Sequence, residues 1–494
     1  MADDSSGTTG TDSRRPYGSH GAGDGSDRES EGVTKETDFE HLRTTEYGYL
    51  DETRHVYLDY TGSGLPARRQ LRIQAARLTQ GVYGNPHSDS PASAGTTTLV
   101  EEARRRVLDF VDADPTEYTA VFTANATAAC RLVGEGYPFH PRRARLLLTL
   151  DNHNSVNGLR EFARSRGART TYLPLTETDL RVSDAVVTRA LRARRGGRGL
   201  FAFPAQSNFS GVQHPLEWIP YAQRHGWHVL LDAAAFAPSN PLRLSRWPAD
   251  FTVLSWYKVF GYPTGVGCLI ARRSALALLR RPWFSGGTIQ VVSAQGQWHR
   301  LADGAPAFED GTVDFHAIPE VSTGLDWVES VGLDAVHDHV AGLTDRLLGG
   351  LLGLHHSDGT ALIRLYGPHT TQRRGGTVAL NVLDANGEVV DERIIARDSA
   401  AAGISLRTGC FCNPGAGEAA FAIGTKALRR TGRNEGTTID EYLTQLGLPS
   451  AGAIRVSLGL PSSASDVDAL LSFLTSAYRD RVPSAEGLAP RLTC

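Results

Sequence analysis

Between about residues 100 and 330, short apolar runs alternate with stretches whose apolar residues recur at helical spacing. The runs are Thr119 to Thr123, Ala144 to Leu150, Thr170 to Leu173, Gly199 to Phe203, His228 to Asp232, Phe251 to Ser255 and Gly267 to Ala271. Strands spaced by helices in this way predict an α/β fold, with a mainly parallel, seven-stranded sheet covered on both faces. A further amphipathic stretch, about Val321 to Leu354, carries apolar residues at Leu333, Val336, Val340, Leu343 and Leu347, the spacing of a long helix connecting two lobes. Beyond it, Thr377 to Leu383, Ser405-Leu406 and Ala453 to Ser457 predict a smaller sheet, with a helix near Val467 to Tyr478, and so a smaller α+β lobe.

Residues 1–40 hold almost no large apolar side chains and cannot offset the entropy of ordering, so they are expected to be a disordered tail. The expected division is then 41–330 for a large domain, 331–480 for a small one and 481–494 for a second tail. A chain of 494 residues suits two lobes, because single cores seldom grow beyond roughly 250–300 residues. The net charge of −3 gives no reason to expect nucleic acid or an anionic membrane as partner. No apolar run reaches the roughly 18 residues of a membrane span, and the N-terminus lacks a hydrophobic signal core, so a cytoplasmic protein is expected. Five cysteines in so long a chain are not a disulfide framework; an unusual thiol points to chemistry.

Of the 51 basic residues only three are lysines: Lys35, Lys258 and Lys426. Arginine serves as well as lysine for a surface charge, but it cannot form a Schiff base. Lys258 follows the strand Phe251 to Ser255, and Asp232 ends the strand before it. Ligands of such sheets bind beyond the carboxyl ends of the strands. The pair suggests pyridoxal 5'-phosphate (PLP), with Asp232 keeping the pyridinium nitrogen protonated and Lys258 carrying the aldehyde. A solvated lysine and a helix-capping aspartate are the plain alternatives.

Other strand ends add to the constellation. Phe122 to Ala128 places small and hydroxyl residues, Ala126 and Thr127 among them, at a helix start suited to a phosphate. His153 follows another strand, where it would stack on a flat ring or relay a proton. Pro204 to Gly211 offers the amides of Gln206 and Asn208 for a phenolate and a carboxylate. The segment Leu406-Arg407-Thr408-Gly409-Cys410-Phe411-Cys412-Asn413-Pro414-Gly415 is a Gly/Pro loop carrying two thiols, with Arg407 favouring a thiolate. No second Cys or His pair stands nearby at zinc spacing, so no metal is assigned.

With these motifs, together with Gly84-Asn85-Pro86-His87-Ser88, Gly286-Gly287-Thr288 and Phe308-Glu309-Asp310-Gly311-Thr312, the chain resembles the class V, fold type I PLP enzymes of the cysteine desulfurase type. Within them it most resembles the N-terminal domain of molybdenum cofactor sulfurases, from about residue 45 to 475. The resemblance implies that Lys258 is the Schiff-base lysine, Asp232 the pyridinium partner and His153 the ring-stacking residue. It places Gln206 near the cofactor phenolate, Asn208 near the substrate, and Thr127 (beside Ala126) and Ser255 on the phosphate. Thr288 would reach the phosphate of a partner subunit, which implies a homodimer. Arg407 and Arg455 would bind the substrate carboxylate.

Two departures from the resemblance bear on mechanism. Many cysteine desulfurases have Gln and His where this chain has Ala235 and Tyr257, which leaves proton transfer to His153, Lys258 or water. The longer sulfurases continue into a domain binding the molybdenum cofactor, whereas this chain stops at Cys494, so a separate sulfur acceptor is expected. The expected reaction converts L-cysteine to L-alanine, with sulfur passing to Cys412 as a persulfide and Cys410 as a relay. A PLP-dependent C–S lyase, a selenocysteine lyase and a scaffold without turnover are the alternatives.

Overall fold

A computed structural model describes residues 37–491, apart from 87, 142–144, 193–198, 432–437, 449 and 451. The expected N-terminal tail up to residue 36, His87 of the Gly84 to Ser88 motif, Ala144 at the head of its strand and Cys494 therefore lie outside the described residues.

Seven strands form the larger sheet, in the order Tyr118–Thr123, Gly267–Arg272, Phe251–Ser255, Trp227–Asp232, Gly199–Pro204, Arg145–Thr149 and Arg169–Leu173. Every pairing is parallel except the two made by Gly267–Arg272, which runs against both neighbours. The expected α/β architecture is the one observed. Its strands are unbroken apolar runs because alternate residues enter two different cores. Phe201 and Phe203 pack with Val100, Val107, Trp218 and Leu325, while Leu200 and Ala202 pack with Ala129, Val133, Val156 and Leu159. Burial on both faces needs cover on both sides, which helices such as Ala126–Gly136, Asp184–Arg192 and Trp218–Arg224, placed between successive strands, supply.

The two antiparallel pairings have a geometric consequence. They turn the chain twice, so Tyr118–Thr123 points the same way as the parallel strands. The segments leaving Thr123, Thr149, Pro204, Asp232 and Ser255 thus emerge along one edge of the sheet.

The stretch from Val321 onward is two helices rather than one: Pro319–Val331 and Leu333–Leu352. Gly332 separates them with φ of +89°, a backbone that side-chain-bearing residues rarely adopt, so apolar periodicity continues where the helix axis does not. A smaller antiparallel sheet follows, ordered Ile363–Tyr366, Thr377–Val382, Ala453–Ser457 and Arg407–Gly409. The expected strand at Ser405-Leu406 is divided: Ile404–Ser405 pairs in parallel with Val56–Tyr57 from the start of the described chain, and Arg407–Gly409 joins the smaller sheet. Helix Ala464–Tyr478 packs on Leu333–Leu352 with Val467, Leu470 and Leu474 buried. Among the described residues, no helix is long and apolar enough to cross a membrane.

Candidate active site

Beyond the shared edge of the larger sheet lies a cavity of about 340 Å³, within the roughly 300–1,000 Å³ range of small-molecule and cofactor pockets. Its walls bring together Lys258, Asp232, His153, Gln206, Asn208, Ala126, Thr127 and Ser255, eight of the residues singled out from sequence. Ala235, Tyr257, Thr264 and Gly265 are also among its walls.

At one end, helix Ala126–Gly136 begins. Asn125 caps it by accepting from the Ala128 N–H, and the Ala126 N–H donates to the Ser255 hydroxyl at 2.9 Å. The Thr127 and Ser155 hydroxyls lie 2.7 Å apart beside them. The helix start supplies a partial positive charge and the hydroxyls supply donors, a set suited to a phosphate.

The opposite chemistry stands deeper in the cavity. Asp232 accepts from the Ala234 N–H at 3.0 Å and is nearly buried. Burial pushes the Lys258 amine below the usual lysine value, with Asp232 opposing the shift and the charges of Arg455 and Arg407 adding to it. Loss of a proton from that amine is correspondingly easier. His153 is pulled down to about 4, by burial first and by the Lys258 charge second, so its ring is neutral at physiological pH. Its Nδ1 accepts the Ser155 N–H at 3.1 Å, which assigns the ring proton to Nε2. Gln206 accepts at Oε1 from Gln213 Nε2 at 3.1 Å and keeps its own NH₂ as a donor.

The remaining candidates lie outside these walls. Thr288 is fully buried in a turn, where its hydroxyl donates to the Ser285 backbone oxygen and accepts from the Ser285 N–H. Arg407 and Arg455 both bond to Asp59. Cys412 is exposed and Cys410 half-buried. The loop bearing these thiols is nevertheless tied to the cavity. Asn208 donates to the Phe411 backbone oxygen at 2.8 Å, the Asn154 N–H donates to the Cys412 oxygen at 2.7 Å, and Asn413 donates to the Asp151 oxygen at 2.7 Å. Phe411 and Cys412 both have left-handed backbones, with φ of +55° and +53°, an arrangement that costs energy in non-glycine residues unless neighbours hold it.

Asp59 and Asn413 were missed by the sequence reading. Asp59 is the last residue but one of the run His55 to Tyr60, a lone carboxylate before a Gly-rich turn, and only that position hints at it.

The profile of the aminotransferase class-V family matches residues 56–470. The chain belongs to this class-V family. Among curated class-V relatives, it is 34% identical over 477 residues to the molybdenum cofactor sulfurase of Arabidopsis thaliana, covering 89% of this chain and 58% of that protein. It is 33% identical over 453 residues to the molybdenum cofactor sulfurase of Homo sapiens, covering 88% of this chain and 50% of that one. The chain thus spans little more than half the length of the curated relatives it matches.

Solved structures share the fold. The apo cysteine desulfurase of Thermococcus onnurineus superposes with a TM-score of 0.73 at 22% identity, over 89% of this chain and 98% of that one. The cystine C–S lyase C-DES, in complex with its reaction product cysteine persulfide, gives a TM-score of 0.66 at 20% identity, over 88% of this chain and all of that one.

Proposed function

We propose that this class-V protein is a PLP-dependent cysteine desulfurase, which converts L-cysteine to L-alanine and delivers the sulfur to an acceptor in the manner of the molybdenum cofactor sulfurases it resembles. The observation that carries the reading is the coexistence in one cavity of Lys258, Asp232, a neutral His153 and a hydroxyl-lined helix start, with a thiol loop bonded to the same walls. Those residues fit PLP: Ala126, Thr127 and Ser255 for the phosphate, Gln206 for the phenolate, His153 for the ring face, Asp232 for the ring nitrogen and Lys258 for the aldehyde. When bound, PLP supplies an aldehyde for the substrate amine and an electron sink for the carbon skeleton.

The chain's own groups do the rest. Arg407 and Arg455 orient the substrate carboxylate. The Lys258 amine, with its lowered proton affinity, removes the Cα proton and returns protons to the carbon skeleton. Ala235 and Tyr257 offer no imidazole or amide at those places, so the burden falls on Lys258 and His153. The Cys412 thiolate attacks the substrate sulfur: an S–S bond forms, the Cβ–S bond breaks, and its electron pair stays with the carbon skeleton. An acceptor thiol or cofactor sulfur site then meets Cys412 from solvent, consistent with its exposure.

A homodimer is part of the proposal. The antiparallel hairpin of Ile289–Ser293 and Trp298–Leu301 exposes Val291, Val292 and Trp298 directly after Thr288, an apolar surface that suits a second copy. The turn at Ser285 that buries Thr288 would have to open for it to reach the cofactor phosphate of that copy.

The test is stoichiometry with sulfur-labelled L-cysteine and no reductant. One alanine per retained protein-bound sulfur, rising to many turnovers only when a sulfur acceptor is added, is the expected result. Continuous release of free sulfide without acceptor would identify a simple C–S lyase instead.

A further inference from the structure

Arg407 and Arg455 are register partners in the pairing of Arg407–Gly409 with Ala453–Ser457. Like charges directly opposite on adjacent strands repel, and a single carboxylate holds these two together. Asp59 Oδ2 accepts from Arg407 Nε at 2.9 Å and Nη2 at 2.6 Å, while Oδ1 accepts from Arg455 Nη2 at 2.8 Å. The turn after Asp59 is shaped around this pairing. A Cβ on Gly62 would stand 2.4 Å from Asp59 Oδ2 and 2.7 Å from Arg407 Nη2, so a larger residue there would have to displace this pairing.

One carboxylate against two guanidinium groups leaves a net positive charge. The Nε and Nη2 edge of Arg407, the edge that seats a carboxylate with two parallel bonds, is filled by Asp59. The two arginines differ in freedom. The Arg455 side chain is 3% exposed and also donates from Nη1 to the Asn208 backbone oxygen at 3.1 Å, whereas the Arg407 side chain is 51% exposed. Arg407 can exchange partners in contact with water; Arg455 would be left as a buried, unpaired charge.

Building on the amino-acid reading of the site, we propose that Asp59 is a stand-in carboxylate, which occupies Arg407 until the carboxylate of the substrate arrives and then yields Arg407 while staying bonded to Arg455 Nη2. The Arg455 Nε, which has no partner among the described residues, is left for the same substrate carboxylate. Arg407 opens the short strand that leads into Cys410 and Cys412, so the exchange places the substrate's carboxylate beside the thiol loop. Amines without a carboxylate cannot drive the exchange, which makes Asp59 a residue that determines specificity.

Calorimetric titration of the cofactor-free full chain with propanoate, and with propionamide as neutral control, tests this directly. Asp59→Asn is expected to bind propanoate about tenfold tighter or more than the wild type, the worth of a charge-assisted hydrogen bond released from competition, with propionamide unchanged. Unchanged, weaker or undetectable propanoate binding by a folded Asp59→Asn protein overturns the proposal. Neither result depends on PLP, whereas failure of the chain to take up PLP would sink the functional reading alone. Should Asp59→Asn fail to fold, Arg407→Gln keeps the Asp59 and Arg455 pair and decides the matter in the PLP-loaded enzyme. Its KM for L-cysteine is expected to rise by about tenfold or more with that for cysteamine unmoved; an unchanged L-cysteine KM overturns the proposal.

Discussion

Asn413 donates its side-chain amide to Asn208 Oδ1 at 2.9 Å, joining the thiol loop to the cavity wall across 205 residues of sequence. The same amide reaches the Asp151 backbone oxygen at 2.7 Å, and Asn413 Oδ1 accepts from the Ala416 N–H at 3.2 Å as a helix cap. With Asn208 donating in turn to the Phe411 oxygen, the left-handed pair Phe411 and Cys412 is bracketed from both sides.

Asn413→Ala removes all three bonds at a fully buried position. Loss of the cap and of satisfied buried groups is expected to cost about 2–4 kcal/mol in total, measured by denaturant unfolding. PLP uptake should survive, because no cavity wall is deleted, while the rate of persulfide formation falls as the loop loses its fixed geometry.

Lys258→Ala is expected to abolish the yellow absorbance of the PLP-loaded protein while the far-ultraviolet circular dichroism spectrum stays that of the wild type. Borohydride reduction of the wild type followed by peptide mass spectrometry should place the cofactor on Lys258. A wild-type protein that stays colourless after incubation with PLP would refute the assignment.

Cys412→Ala should eliminate the protein-bound sulfur after a single exposure to L-cysteine, with PLP absorbance intact. Cys410→Ala should retain most of it, since Cys410 is half-buried and Cys412 exposed. Mass spectrometry that finds the extra sulfur on Cys410 in the wild type would reverse the two roles.

His153 gives a pH signature of the cofactor-free chain. Its folded value of about 4 lies below the ordinary histidine value of 6.5, so the unfolded chain takes up this proton first as pH falls. The contribution of His153 to stability is therefore intact above about pH 6.5 and is lost between there and pH 4, at up to about 1.4 kcal/mol per unit. His153→Asn should flatten the fall of stability with pH across that window in chemical denaturation; an unchanged slope would show that His153 is not the group responsible.

Local pattern carried much of this protein. The seven strands are legible as apolar runs because a strand covered on both faces must be apolar at successive positions, as Leu200, Phe201, Ala202 and Phe203 are. The placement of Lys258, Asp232, His153 and Gln206 in one cavity was legible for a related reason: each ends or follows a strand, and parallel strands deliver their ends to one edge. The break at Gly332 was not, because Val336 and Val340 continue the apolar spacing on the far side of the glycine. Nor was the division of Ser405 and Arg407 between two sheets, since pairing partners as remote as Val56 and Arg455 leave no mark on the segment itself.

The sequence by itself determined the layered architecture and which side chains have the chemistry for a carbonyl cofactor and a thiol, because periodicity and functional groups are local properties. Only the tertiary structure decided that Asp59 stands between Arg407 and Arg455, 348 and 396 residues away along the chain, and that Asn208 and Asn413 hold the loop of Cys412. Hydrogen bonds and charge pairing act over a few ångströms in space, and separation along the chain says nothing about that distance until the two sheets have packed.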